Sequence, residues 1–357
     1  MLAVIREKRR EKKKMNNKKI NKNFKHISPL PIMKHSGFFP KLGKIEIAKK
    51  HCYTIIKDIS VTGDAPKDII RLYEYGNALK RNYKKWPIYI AKLGHKYYPM
   101  ESITEQLITD IGLSYGFNMA SSKISYIGGQ IRFLSLYFLN HKTEQLIHGA
   151  DLYAGFLNND KQFVDDIEEN KMTQDFFTIK FTKEVIDSFF DKNEKQAIFN
   201  SFMKMLFFDG LIGNNDRHMY NWGVVRDVLG KKVAFFSKIY DTARGLLWNQ
   251  TEEQLNKIIR NNNIENFVNR YCNNSKPKIG IENKELVNHF ELIKNYKEHY
   301  KNDEDITPIF ANEKLNKVIG MVNEKYSKLL SENRRILIIE ILKFRYNKIK
   351  EILDYEK

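Results

Sequence analysis

The sequence predicts an α+β protein in two lobes: a small β-rich N-lobe over residues 28–140 and a larger helical C-lobe over 141–357, behind a basic tail of residues 1–27. Three observations predict it. The first half carries short runs of Tyr, Ile and Val, each closed by turn residues, with one helical stretch among them. From about residue 189 onward, apolar residues recur at helical spacing through several long segments. Between those helices, an Asp- and Asn-rich loop leads into a hairpin.

The elements follow in order. His26-Ile27-Ser28-Pro29-Leu30-Pro31 separates tail from body. Strand character at 53–61 and 69–75 flanks the turn-rich Thr62-Gly63-Asp64-Ala65-Pro66-Lys67. Trp86-Pro87-Ile88-Tyr89-Ile90-Ala91-Lys92 is another short strand, closed by Gly94. A helix runs from residue 101 to about 111, entered after Pro99 and ended by Gly112. Residues 123–128 and 131–138 pair across Gly128-Gly129. In the helix 189–211, Ile198, Phe199, Phe202, Met203, Leu206 and Phe207 form a broad apolar stripe, which requires burial on at least one side. Residues 222–226 and 233–239 pair as a hairpin. Helices near 251–271, 284–301, 313–330 and 332–353 complete the lobe, with Leu286, Phe290 and Ile293 lining one of them.

Composition narrows the function classes. The chain has 357 residues, 42% of them hydrophobic and 13% aromatic, which suits a packed globular protein. Cys52 and Cys272 are the only cysteines, and they make neither a disulfide framework nor a zinc spacing. That fits a reducing, cytoplasmic setting. The nine histidines show no paired metal spacing. The longest apolar cluster, 336–342, is interrupted by Glu340 and falls far short of the ~20 residues of a membrane span. Residues 2–5 are too short for a secretory apolar region. The net charge of +18 is uneven, because residues 1–26 hold eleven Lys or Arg against two Glu. Such a tail is solvated surface, or it contacts nucleic acid or an acidic partner. No aromatic residue interleaves with its basic ones before Phe24, which weakens single-strand stacking.

The chemistry is concentrated in Asp216-Arg217-His218-Met219-Tyr220-Asn221, followed by a hairpin and Tyr240-Asp241. Phosphoryl transfer from ATP needs such a set. One carboxylate, Asp216, orients the attacking hydroxyl; an Asn oxygen and a second carboxylate, Asn221 and Asp241, hold Mg²⁺ against the phosphates. The hairpin returns the chain to where it left, so Asp241 can approach Asn221. Lys92, at a strand end, can neutralise phosphates if an acid on the following helix holds it. Glu101 is the first choice for that acid, and Glu105, one turn on, is the second. His218 either shapes the loop or assists proton transfer. Arg217 reads as a brace for the loop, and Arg244 as a contact for substrate or a phosphoresidue. No GxGxxG or GxxxxGK[ST] is present, which leaves Thr62-Gly63-Asp64 and Tyr75-Gly76-Asn77 as the turns able to cover phosphates.

The stretch Gly213-Asn214-Asn215-Asp216-Arg217-His218-Met219-Tyr220-Asn221, with Ile239-Tyr240-Asp241, resembles the C-terminal kinase domain of the HipA-like family, bacterial serine/threonine kinases distantly related to the phosphoinositide-kinase-like fold. The resemblance follows motif order over about residues 50–250 and is specific at 210–245. It implies a protein-kinase-like fold, Asp216 as catalytic aspartate, Asn221 and Asp241 as magnesium ligands, and Lys92 as the ATP-contacting lysine. It also implies Glu101 as the helix glutamate and Asp209 as a brace for the loop. Strand 133–138 would lead to an adenine-binding hinge near Tyr137, Phe138 and Leu139. The implied substrate is a protein serine or threonine, with autophosphorylation as one form of it. Toxin members add an N-terminal subdomain and a glycine-rich loop with a phosphorylatable serine. Neither is recognisable here, which leaves control by autophosphorylation and a DNA-binding antitoxin partner open. A lipid or small-molecule kinase, and a pseudokinase or nucleic-acid-binding module working through the tail, are the alternative readings.

Overall fold

The computed structural model describes residues 24–59, 65–140, 142–158 and 161–355. A six-stranded sheet comes first: β1 (Glu46–Ile47), β2 (Tyr53–Ile55), β3 (Lys67–Leu72), β4 (Ile88–Lys92), β5 (Ser122–Ile127) and β6 (Gln130–Leu136). Their order is β1-β5-β6-β4-β3-β2, antiparallel except where β1 joins β5. Alternation along the strands separates two faces. Tyr53, Ile70, Leu72, Tyr89, Ala91 and Leu134 share a small core with Ile27. The register that pairs Lys92 with Lys67 and Phe133 sets Lys92 on the opposite face from Ala91.

Helix α1 (Met100–Tyr115) connects β4 to β5. Its Ile103, Leu107, Ile108 and Ile111 are fully buried in the main core. The expected stop at Gly112 lies inside this helix, which ends at Gly116 with φ 96°. Gly112 serves close packing: a Cβ there would stand 2.5 Å from Met119 Sδ. The hairpin of β5 and β6 does turn on Gly128-Gly129, both at positive φ, as two-residue hairpin loops require.

The second lobe begins with β7 (Glu144–His148), which pairs with β8 (Gly223–Asp227), itself paired with β9 (Phe235–Phe236). Around this small sheet pack α2 (Gly149–Phe156), α3 (Lys161–Glu169), α4 (Thr173–Phe176), α5 (Ile179–Phe189), α6 (Lys192–Ile212), α7 (Glu252–Arg260), α8 (Ile264–Asn273), α9 (His289–Asn295), α10 (Lys297–Lys301), α11 (Asn312–Glu324) and α12 (Glu332–Ile352). Two of the expected long helices are each divided, at 261–263 and at Tyr296; Asn262 takes φ 49° at the first break. Segment 144–189, which periodicity left unassigned, supplies β7 and four helices. Helix α6 starts from a capping box of Asp191 and Glu194 and is buried continuously from Met205 to Ile212. It is the axis of the lobe and points at the Asp- and Asn-rich loop.

Packed chain begins ahead of the expected boundary at residue 28. Phe24 meets Tyr83 and Trp86 edge-on, and Ile27 is buried. Residues 1–23, most of the expected tail and its nucleic-acid contact, lie outside the described residues. Residues 33–36 then pair with 95–98, and the Ser36 carbonyl accepts the Glu252 N–H, so this leading segment touches both lobes. Among the described residues no helix is long and apolar enough to cross a membrane.

Helix α2 is docked on the site loop through its own backbone. The N–H groups of Gly149 and Ala150 donate to the carbonyls of Trp222 (3.1 Å) and Met219 (3.0 Å). A Cβ at Gly149 would stand 2.4 Å from the fully buried Trp222 ring. We expect Gly149→Ala to lose about 1–3 kcal/mol through overpacking, read as a lower urea midpoint.

Candidate active site

Helix α6 ends at Gly213, which takes φ 68°; a Cβ there would meet the Arg345 guanidinium at 2.7 Å. The loop that follows is organised by Arg217, which is wholly buried. Its Nε and Nη2 donate to Asp209 Oδ2 and Oδ1 at 2.8 and 2.9 Å. Its Nη1 donates to the carbonyls of Asn221 and Tyr240, both at 2.7 Å. Asp209 Oδ1 also accepts from Asn214 Nδ2 at 2.9 Å. One guanidinium thus joins the end of α6, the end of the loop and the residue before Asp241. The brace expected of Arg217 and Asp209 is the geometry found.

Within the loop, Asn221 Nδ2 donates to the Asp216 carbonyl at 2.8 Å, which commits the nitrogen and leaves Oδ1 as the ligand-capable atom. Asp216 keeps its side chain partly open to solvent, with Arg244 Nε 3.6 Å from Oδ2. Burial raises the Asp216 carboxyl above its ordinary value, against the pull of the cations around it. His218 is folded back on the loop: its Nδ1 accepts the Tyr220 N–H at 3.2 Å and lies 3.9 Å from Glu168 Oε2. Glu168 Oε1 in turn pairs with Lys278 at 2.9 Å.

Asp241 sits at φ 55°, a conformation a non-glycine residue adopts at a cost of order 1–3 kcal/mol and usually at a site. Lys92 Nζ, from β4, donates to Asp241 Oδ1 and to Glu105 Oε1, each at 2.9 Å. The pairing with Glu101 favoured by the sequence is therefore corrected to Glu105. Glu101 stands in the first turn of α1 and turns back to the segment ahead of the helix. Its Oε2 accepts from the N–H groups of Lys96 (3.0 Å) and Tyr97 (3.4 Å), and its Oε1 pairs with Arg244 at 2.9 Å.

The three charges around Lys92 are unequal. Burial opposes the ammonium, but Asp241 and Glu105 outweigh it and hold Lys92 above its ordinary value. Burial also opposes the Asp241 carboxylate, yet Lys92 prevails and holds it at about 2. Glu105 is the surplus anion: burial, helped by the charge of Asp241, overcomes Lys92 and pushes it up to about 7.

The chain crosses between the lobes just after β6. Tyr137 N–H donates to the Ile88 carbonyl at 2.8 Å, and the Phe138 ring centroid lies 6.0 Å from that of Tyr240. Leu139 completes the crossing segment. The Tyr240 hydroxyl donates to the Tyr220 carbonyl (3.0 Å) and meets His148 Nδ1 at 3.1 Å. Of the two turns able to cover phosphates, Thr62-Gly63-Asp64 lies outside the described residues. Its connection, from β2 to β3, enters the sheet beside Lys92, where the Pro66 carbonyl accepts the Leu93 N–H at 2.9 Å. Tyr75-Gly76-Asn77 joins the opposite ends of β3 and β4, and is an ordinary turn in which Asn77 Nδ2 donates to Glu74 Oε2 at 2.6 Å.

Sequence reasoning missed the roles of Trp248, Tyr97 and His148. The Glu105 pairing had no local signal either, because Glu101 is claimed by N–H groups of Lys96 and Tyr97 in the turn ahead of the helix. A sheet-bearing lobe with one helix, a helical lobe, and a junction holding Lys92, Asp216, Asn221 and Asp241 define the two-lobed protein-kinase-like fold. The chain belongs to the HipA-like C-terminal domain family, whose model matches residues 59–302. Its structure is similar to that of the Helicobacter pylori proinflammatory kinase CtkA, with a TM-score of 0.63 at 16% identity over 87% of this chain and 97% of that one. HipA of Shewanella oneidensis MR-1, in its complex with HipB and operator DNA, matches with a TM-score of 0.47 at 12% identity over 84% of this chain and 68% of that one. Among curated protein sequences none matches.

Three outcomes follow from the charges. Arg217→Met leaves Asp209 enclosed without its cation, and we expect it to cost about 3–5 kcal/mol in equilibrium denaturation. Glu105, raised when folded, binds its proton more tightly in the native state than in the unfolded one. It therefore makes stability fall as pH rises from about 4.5 to about 7, and adds no slope above that. Asp241, lowered when folded, contributes stability above about pH 4 that is lost toward pH 2. Denaturation midpoints followed from about pH 4.5 to 8 should show the stability of wild type relative to Glu105→Gln falling up to about pH 7 and level above it.

Proposed function

We propose that this protein transfers the γ-phosphoryl group of ATP to a hydroxyl, that of a serine or threonine in a protein substrate. The observation that carries this reading is the placement of Lys92 on Asp241 while Arg217 ties Asn221 to Tyr240. An ammonium from the first lobe and two hard oxygen donors from the second are thereby held at one junction. Asn221 Oδ1 and the Asp241 carboxylate suit Mg²⁺, which binds oxygen and keeps waters or phosphates in its remaining positions. Bound there, Mg²⁺ would neutralise phosphate oxygens.

The chain's own residues supply the rest. Lys92 gives a second positive charge to the phosphates, and Glu105 keeps it aimed. The hydroxyl oxygen attacks the γ-phosphorus, the bond to the β-phosphate bridging oxygen breaks, and ADP departs with that electron pair. Asp216 orients the hydroxyl and takes its proton. Arg244 and Lys278 add positive charge beside Asp216, and His218, folded back on the loop, shapes it. Backbone groups of Tyr137, Phe138 and Leu139, at the crossing between lobes, would face adenine. Such a site works mainly through positioning and charge neutralisation. The Helicobacter pylori protein that shares the fold is itself named a kinase, which supports the same reading.

A decisive experiment measures γ-phosphate transfer with Mg²⁺ to the protein itself, to a basic protein and to phosphoinositide vesicles. Wild type should label protein, and Asp216→Ala should fall at least about 100-fold. Label confined to vesicles would make the acceptor a lipid. Absence of both transfer and Mg²⁺-dependent ATP binding would overturn the reading.

A further inference from the structure

Helix α1 presents two carboxylates one turn apart, each beside a different cation: Glu105 accepts a hydrogen bond from Lys92, and Glu101 makes an ion pair with Arg244 that lacks hydrogen-bond geometry. Glu105 holds Lys92, which holds Asp241. Glu101 Oε1 lies 2.9 Å from Arg244 Nη1, and Arg244 Nε lies 3.6 Å from Asp216 Oδ2. The first relay reaches the phosphate side of the site, the second the hydroxyl side.

Arg244 is fixed more firmly than a surface arginine. Its guanidinium carbon lies 3.8 Å from the centroid of the Trp248 ring, a stacked cation–π contact. Trp248 is set edge-on against Tyr97 at 5.6 Å, and Lys34 Nζ covers the same tyrosine ring at 4.8 Å. Its main chain is pinned as well: the Arg244 carbonyl accepts the N–H of Asn215, the residue before Asp216, at 3.4 Å. Next to it, a Cβ at Gly245 would stand 2.9 Å from the Ile212 carbonyl, so the segment runs against the end of α6. Glu101 is equally constrained, by two backbone N–H groups on its other oxygen.

We propose that Arg244 is a positioning residue for Asp216, and that Glu101 acts through it, so that helix α1 sets the hydroxyl side of the site as well as the phosphate side. The inference rests on the phosphotransfer reading. A guanidinium suits this role, because its Nε lies toward Asp216 and its Nη1 toward Glu101 while its carbon sits over the Trp248 ring. Helix α1 thus supplies the carboxylate partner of both cations, Lys92 and Arg244.

The experiment compares wild type, Arg244→Met, Arg244→Lys, Glu101→Gln and the Arg244→Met/Glu101→Gln double variant in steady-state phosphate transfer. Thermal melts report folding. We expect Arg244→Met to lower kcat about 10- to 100-fold through misplacement of Asp216, with KM for ATP within about twofold of wild type. Arg244→Lys should recover part of the loss, which a mere filler of the space would not distinguish from Met. Glu101→Gln should lower kcat in the same direction, and the double variant should be no slower than Arg244→Met, because both act along one path. Unchanged or increased kcat in Arg244→Met, a matching rise in KM for ATP, or multiplicative losses in the double variant would overturn the proposal. Should Arg244→Met fail to fold, Arg244→Lys and Glu101→Gln carry the same kcat-against-KM reading. An inactive wild type would overturn the phosphotransfer reading and this inference with it, which is distinct from an active wild type whose Arg244 variants match it.

Discussion

A buried guanidinium holds the site together. Arg217 spends its hydrogen bonds on one carboxylate and two carbonyls, all belonging to segments that would otherwise be independent: the end of α6, the loop, and the strand leading to Asp241. A charge so enclosed is tolerable only with its anion beside it and its N–H groups occupied. Asp209 meets the first need and the carbonyls the second. The folded state is thus constrained to one mutual placement of loop and strand, because any other would strand a cation or a carboxylate in the core.

The same logic recurs at the lobe junction with a different purpose. Lys92, Glu105 and Asp241 carry one positive and two negative charges in little water, so the cluster is short of positive charge. The cation binding proposed for this site would offset that imbalance. Lys92 and Asp241 are already aligned, and Glu105 bears the cost as a carboxyl pushed toward neutrality. The left-handed backbone at Asp241 is a further local cost, met by the contacts on both sides of it.

Much of this was legible in the sequence, for identifiable reasons. Asp216, Arg217, Asn221 and Asp241 lie within a short stretch where loop and hairpin geometry set distances. The stripe of α6 and the Gly128-Gly129 turn depend on local periodicity and backbone preference, which a sequence displays directly. The segment 144–189 was not legible, because its helices are short, mixed in polarity and stable only against the lobe. Gly112 misled as a helix stop, since its reason is contact with Met119 and Phe208, residues remote from it in the chain.

Which partner each charge takes was settled by tertiary structure. The sequence by itself determined that a lysine on a strand, two acids on the next helix and an Asp–Asn–Asp set would share one chain in that order. Residue type and spacing suffice for that. The fold decided that Glu105 meets Lys92, that Glu101 meets Arg244, and that the Trp248 ring lies against that arginine. Those choices depend on the angle at which α1 crosses the sheet and on how closely the segment after Asp241 approaches α6. Such angles and approaches are fixed by packing among distant residues, and no local pattern encodes them.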